Sequence, residues 1–431
     1  MSTATWLIIV VCVLCAIGVV MVGSASSVIS ISYYGSPWSI LFKEIMWVVL
    51  GLMVFAATSI IDYHVWRRYA SLSMVVALVL LFIVLVPGLG QSSYGASRWI
   101  GFGQFGIQPS EFAKLALALF GADLIVKRQD KGTSYRQIIG PIGIVASGAA
   151  LLIIAQPDLG TAMVLMVITL ALLFAGGVPL KPVLKGIGLV VVLVTIAAVA
   201  MPYRRERLLS FINPGSKASG SGYQVVQSLI GLGSGHLFGL GLGNGREKWG
   251  FLPNAHTDFI FSVIGEELGL VGAVCVVGLV GLFAFKGIRA AEESSDSFGT
   301  LLAVGLVAWI ATEAIINIGA VIDLLPVTGI PLPFVSFGGS SMLISMAAAG
   351  MLVNIARQAK SPAGVISLEA KRAEKRSKGA AKSVAGSKAK RPSTSATRTA
   401  SARTARSSSS SGGRRSGSSA TTRRAPATRA Q

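Results

Sequence analysis

Charged side chains are scarce in this sequence: Asp, Glu, Lys and Arg make up 13% of its 431 residues, about half the share of an ordinary soluble domain. Hydrophobic residues make up 52% and the mean hydropathy is +0.69, which excludes a typical water-soluble fold and places the chain in a bilayer. Cysteine is rare as well. Cys12, Cys15 and Cys275 all lie within apolar runs, where a free thiol behaves as a small hydrophobe. A disulfide framework is excluded, and the Cys12-Val-Leu-Cys15 spacing has neither a second pair nor a His cluster to make it a metal or redox motif. The N-terminus lacks the basic region of a secretory signal and its apolar run is long, so it reads as a first membrane span.

Acidic residues are few, 18 against 38 Lys and Arg, for a net charge of +20. That imbalance suggests a nucleic-acid partner only until it is divided along the chain. From residue 358 onward there are 18 basic residues and 2 acids (Glu369, Glu374), so the tail carries +16 and the body only +4. The tail also lacks large apolar residues. From about 361 it is mostly Ser, Ala, Thr, Arg and Lys, which cannot bury enough surface to fold. It reads as a disordered cytoplasmic segment, 358–431, that meets anionic lipid at about 1 kcal/mol per basic residue near the surface, or else an acidic cytosolic partner. No nucleic acid is called for.

A transmembrane helix needs about 20 predominantly apolar residues, and the body offers about ten such runs: 6–28, 40–60, 70–88, 109–126, 139–155, 160–177, 185–202, 258–285, 299–325 and 336–356. The expected fold is therefore an all-α polytopic membrane protein occupying 1–357. Short loops at 61–69, 127–138, 178–185 and 286–298 hold most basic residues outside the tail. The positive-inside rule makes them cytoplasmic, and both termini with them.

One loop on the opposite face breaks the charge pattern. The stretch 203–257 carries Arg204, Arg205, Arg207, Lys217, Arg246 and Lys248 against Glu206 and Glu247. Long loops translocate largely regardless of charge, but an anionic ligand would explain the excess. The loop is also rich in glycine and fairly apolar, as in 231–245, so parts of it are expected to dip back against the helices, where irregular backbone can be satisfied. The glycines lack a preceding strand and a closing Lys-Ser/Thr, which argues against a phosphate-cradling motif.

Ionisable residues inside spans are costly, at least about 2.5 kcal/mol on insertion scales, and draw attention for that reason. Glu111 and Lys114 share a helix face, as an ion pair or as part of a cavity lining. Asp123 and Lys127 read as a surface pair. Asp158 is expected to cap the sixth span. Glu266 and Glu267 fall about 12–14 Å along the helix from Asp258, and Glu313 is similarly deep. Asp258 itself stands where the long loop returns to the membrane, beside His256 and Thr257. It is either an N-cap or a partly desolvated carboxylate whose pKa rises from about 3.9 towards a value useful in a general base.

The run Phe251-Leu-Pro-Asn-Ala-His-Thr-Asp258-Phe-Ile-Phe-Ser-Val-Ile-Gly-Glu-Glu-Leu-Gly269 resembles the signature of the SEDS family, the FtsW and RodA proteins. Blocks at Gln108–Lys114, Gln156–Ala162, Arg204–Pro214, Gly222–Ser228 and Leu325–Ser341 resemble that family in order and spacing, so that the likeness covers roughly 15–357. The resemblance implies a peptidoglycan glycosyltransferase that polymerises lipid II at the outer face of the cytoplasmic membrane, with Asp258 as the catalytic carboxylate. Arg204, Arg207, Lys248, His256, Glu111 and Lys114 become candidates for the diphosphate or the cavity, with a divalent cation such as Mg or Mn as a possible aid. The implied partner is a class B penicillin-binding protein. The tail and the opening Val20–Ser27 side with the division-type members. Asn254, Glu313 and Asp323 depart from the pattern, which commonly has an acid, a glutamine and a small residue there. A lipid II flippase or a non-catalytic scaffold for the transpeptidase are the rival readings.

Overall fold

The computed structural model describes residues 1–88, 90–93, 96–102, 105–200 and 221–359, all within the first of the two units into which the chain divides, Met1–Ser367 and Leu368–Gln431. The basic tail, and the stretch 201–220 with Arg204, Arg205, Arg207 and Lys217, lie outside the described residues.

Twelve helices are described: α1 (Thr3–Tyr34), α2 (Ser39–Ile60), the short α3 (Tyr63–Arg68), α4 (Ala70–Leu85), α5 (Pro109–Asp130), α6 (Tyr135–Ala155), α7 (Leu159–Ala175), α8 (Leu180–Ala200), α9 (Ser221–Ser234), α10 (Ile260–Glu292), α11 (Ser297–Val321) and α12 (Gly339–Gln358). Their ends follow local chemistry. Ser2 Oγ accepts from Thr5 N to start α1, and Gly35 ends it in the left-handed conformation. Pro109 opens α5, and Asp296 takes the N–H groups of Phe298 and Gly299 at the start of α11. A helix stands at each of the ten expected runs. Six of the helices, α1, α2, α6, α10, α11 and α12, are long and apolar enough to cross a membrane, and α4 and α7 are shorter apolar helices. The protein is an all-α polytopic membrane protein on that count.

Helix α11 is the axis of the bundle. It packs against α5, α7, α10 and α12 and buries Leu302, Leu306, Trp309 and Ile310, so most of its surface is apolar, as a largely surrounded helix requires. In a bilayer the lipid is as apolar as the side chains, so close packing and polar bonds hold helices together. The α2–α12 pair illustrates the first: a Cβ on Gly350 would overlap Thr58 Oγ1 and the carbonyl of Phe55.

Four features differ from the sequence reading, the first being that the stretches 61–69 and 203–257, read as loops, contain the helices α3 and α9. Residues in the loop 89–108 form a small antiparallel meander, β1 (Gln91–Ser93), β2 (Ala96–Phe102) and β3 (Phe105–Ile107), in the order β1-β2-β3. Trp99 on β2 covers Gly106 on β3, where a side chain would crowd it. Asp123 is not part of a surface pair: it is buried, and it receives Arg67 Nε of α3 at 2.9 Å as well as Lys127 Nζ at 2.6 Å. The eighth span is not continuous either. Gly269 interrupts α10 with φ +70 and ψ −168, a conformation open to glycine alone.

That break is where the glycine-rich loop meets the bundle. Leu240 N donates to Glu266 O at 2.9 Å and Gly241 N to Glu267 O at 3.1 Å, while Leu270 N and Val271 N donate to His236 O and Leu237 O at 2.9 and 3.2 Å. The groups freed by the kink are thus taken up by loop backbone, which is the condition for non-helical chain at membrane depth. A Cβ on Gly269 would overlap the Gly239 amide.

Candidate active site

Asp258 lies in the turn that leads into α10. The turn is closed by Thr257 N donating to Asn254 O at 3.1 Å, with Asn254 in the left-handed region at φ +60, which Asn tolerates better than most residues. Phe259, not Asp258, is the residue that precedes the helix as its cap. Asp258 is half-buried. Its Oδ2 faces Gly329, where a Cβ would stand 3.5 Å away, and Asn317 of α11 donates to its backbone carbonyl at 2.8 Å. His256 is close by. Its carbonyl accepts from Phe337 N at 3.0 Å, its ring centroid lies 5.7 Å from that of Phe337, and its Nδ1 is buried with no hydrogen-bond partner. Burial lowers its pKa to about 4, so the imidazole is neutral at pH 7.

Four helices start around this turn and the segment 326–338. Asp158 caps α7 as expected, accepting Thr161 N at 3.2 Å and Thr161 Oγ1 at 2.9 Å. Gln108, just before α5, donates its side chain to Asp158 Oδ2 at 3.1 Å and its backbone N–H to Ser340 Oγ of α12 at 3.2 Å. At Gly160 a Cβ would press on Thr328 and Ile330 side chains at 2.9 Å. The N-termini of α5, α7, α10 and α12 are therefore brought together beside Asp258. Each carries the positive end of a helix dipole, roughly half a unit charge. The meander is pinned to the same region by Arg98, whose guanidinium donates to Gln156 O at 3.1 Å and to Pro157 O. Arg98 and Asn317 were not among the candidates read from the sequence, since each acts on a backbone carbonyl 58 or 59 residues away, and Asn317 on another 13 away, and neither sits in a local pattern.

The other candidates do not gather here as one set. Lys114 is 1% exposed and bridges Glu111, at 2.8 Å, and Glu313. Its Nζ also lies 5.1 Å from the Trp309 ring centroid. Of the two readings left open for Glu111 and Lys114, this geometry is that of a buried ion cluster. Glu313 joins it as a second carboxylate on the same lysine. Lys248 turns inward as well. Its Nζ meets Gly243 O, Glu267 Oε1 at 3.4 Å and Ser24 Oγ at 3.5 Å.

Those contacts belong to a clamp on the loop. Glu267 Oε1 also accepts Ser24 Oγ at 2.7 Å and Gly245 N at 3.3 Å, and Glu266 takes Arg246 N at 2.6 Å and Glu247 N at 3.4 Å. Glu266 is thus met by loop backbone, whereas Glu267 meets loop backbone, Ser24 and Lys248 through Oε1 alone and its Oε2 is buried with no hydrogen-bond partner. Among the described residues no cluster of three or more His, Cys, Asp or Glu is placed to hold a metal ion.

Residues 4–361 match the family of cell cycle proteins FtsW, RodA and SpoVE. The chain belongs to that family. It is 40% identical over 375 residues, 87% of its length and 71% of the relative's, to the probable peptidoglycan glycosyltransferase FtsW of Mycobacterium tuberculosis. It is 39% identical over 356 residues to stage V sporulation protein E of Bacillus subtilis, covering 82% of this chain and 97% of that one. Among solved structures, RodA of Thermus thermophilus aligns with a TM-score of 0.61 at 26% identity, over 82% of this chain and 97% of that one. A chain of a peptidoglycan synthase complex that coordinates polymerization and crosslinking aligns at 0.67 and 27%, over 81% and 96%. The protein is thus a multi-pass membrane enzyme of the FtsW/RodA family, a peptidoglycan glycosyltransferase of cell wall synthesis and cell division.

Proposed function

We propose that the chain polymerises lipid II, with Asp258 as the general base. The acceptor sugar's 4-hydroxyl attacks the donor's anomeric carbon and its proton passes to Asp258. The bond to the diphosphate breaks as the glycosidic bond forms, and undecaprenyl diphosphate leaves with the bonding electrons. The observation that carries this reading is the position of Asp258: half-buried at the junction of loop and helix, beside the gathered starts of α5, α7, α10 and α12. A positioned base typically contributes about 10²–10⁴ in rate. The leaving diphosphate is the anion that the helix N-termini favour, with Arg204 and Arg207 as the loop cations for it. Lys248, held on Glu267, supports the loop in this reading, and neutral His256 lines the site beside the base. Glu111 and Lys114 act beneath it as a structural cluster.

Among the described residues no group of three or more His, Cys, Asp or Glu is brought together. A magnesium or manganese ion that arrives with phosphates needs only one or two protein carboxylates, so in our reading such an ion belongs to the substrate. The topology that goes with this activity has ten membrane spans, both termini in the cytoplasm and the site on the outer face. The partner is a class B penicillin-binding protein that crosslinks the strands.

The test is Asp258→Asn, reconstituted in liposomes with the transpeptidase and lipid II. Glycan polymerisation is expected to fall at least 100-fold. Polymerisation at the unmodified rate would remove Asp258 from the mechanism. Transbilayer movement of fluorescent lipid II in the same vesicles separates the enzyme from the flippase, which would move it without making glycan.

A further inference from the structure

We infer that Asn317 is a positioning residue for Asp258, an inference that rests on the reading of Asp258 as the base. Asn317 stands on α11 and is 2% exposed. Its Nδ2 donates to two backbone carbonyls at once, Asp258 O and Ile330 O, each at 2.8 Å. The first carbonyl belongs to the turn before α10 and the second to the segment 326–338, so one amide ties two separate pieces of chain to the central helix. The tie is close to the reacting group: Gly329 adjoins Ile330, and the place of its missing Cβ is 3.5 Å from Asp258 Oδ2. Chemistry fixes the orientation of the amide. Two carbonyl oxygens can be met only by its NH2 end, because its oxygen has no proton to give.

A base works only within hydrogen-bond reach of the proton it takes, and a displacement of about 1 Å lowers rates by about 10²-fold. Asn317 sets the height of the Asp258 backbone against the 326–338 segment and hence where the carboxylate stands. Both protons of its Nδ2 are spent on protein carbonyls, and its Oδ1 is buried with no hydrogen-bond partner, so in this inference it acts through Asp258 rather than by touching sugar or phosphate. The effect of losing it therefore belongs in kcat.

Initial rates of polymerisation against lipid II concentration, in liposomes with the transpeptidase, test this in Asn317→Ala and in Asn317→Ser, which keeps one donor. Asn354→Ala is the control. Asn354 is another buried asparagine whose Nδ2 donates to a carbonyl, Ser59 O at 3.0 Å, at the opposite end of α12. We expect Asn317→Ala to lower kcat about 10- to 100-fold with KM changed less than about twofold, Asn317→Ser to lie between, and Asn354→Ala to keep kcat. If the alanine variant does not fold, the serine variant carries the same kcat and KM comparison. An unchanged kcat, a loss confined to KM, or an equal loss in Asn354→Ala at matched thermal stability overturns the inference. Asp258→Asn run beside them separates the two failures. If it is inactive while Asn317→Ala is normal, only the positioning role is wrong; if it is active, the base assignment itself is wrong.

Discussion

At the scale of single residues, the polar groups inside this membrane protein sort by what they face. Lys114 faces two carboxylates, Glu111 and Glu313, with no solvent to share. Removing one member of a buried ion cluster leaves an uncompensated charge, a loss of about 3–5 kcal/mol. Lys114→Met should therefore lower the unfolding temperature in detergent sharply or prevent folding. Glu313→Gln, which leaves the Glu111 pair intact, should be tolerated. Thermal unfolding of the two variants checks this, and equal stability for both would mean that the cluster is not held by its lysine. Asp158 as a cap and Asp258 at the junction of loop and helix were legible in the sequence, because a cap and a junction are local. Asn317 was not, since nothing in the residues around it says that Asp258 and Ile330 will lie against it.

At the scale of elements, ten helices were legible because each is written in one run of apolar residues, while α3 and α9 lie in stretches read as loops. The meander, the break in α10 and the inward turn of Lys248 were not, because each depends on a meeting of distant segments. The loop clamp has a consequence for pH. Burial first, and then the neighbouring Glu266, raises Glu247 to about 7 from its ordinary 4.5. Its other charged neighbours are Glu267, Lys248 and Arg246. A carboxyl with a raised pKa in the docked loop favours docking when protonated. Its contribution is full below about 4.5 and is lost as pH rises through about 7. Hydrogen-exchange protection factors of the 245–249 amides should therefore fall as pH rises from about 4.5 to about 7 and level off above it. In Glu247→Gln the factors should stay level over that interval. A level profile in the unmodified chain would show that Glu247 is already ionised in the docked loop.

At the scale of the whole molecule, the charge divides into a nearly balanced membrane body and a tail that holds +16 of the net +20. The family match ends at residue 361, close to where that composition begins, so the enzyme and the tail are separable in sequence. The proposed chemistry lies at the starts of α5, α7, α10 and α12, whereas the tail follows the far end of α12, a 20-residue helix about 30 Å long. Every residue proposed for the chemistry lies within the family match and none in the tail. Truncation after residue 359 should then leave polymerisation in liposomes within about twofold of the full chain, because it removes neither the base nor any of the helix starts around it. Location in the cell should change instead, since more than a dozen basic residues at about 1 kcal/mol each near an anionic surface form a strong but salt-sensitive tether. Fluorescence localisation of the truncated chain, paired with its rate in vitro, distinguishes these roles. A truncated enzyme that is well folded yet inactive would mean that the tail takes part in catalysis or in assembly with the transpeptidase.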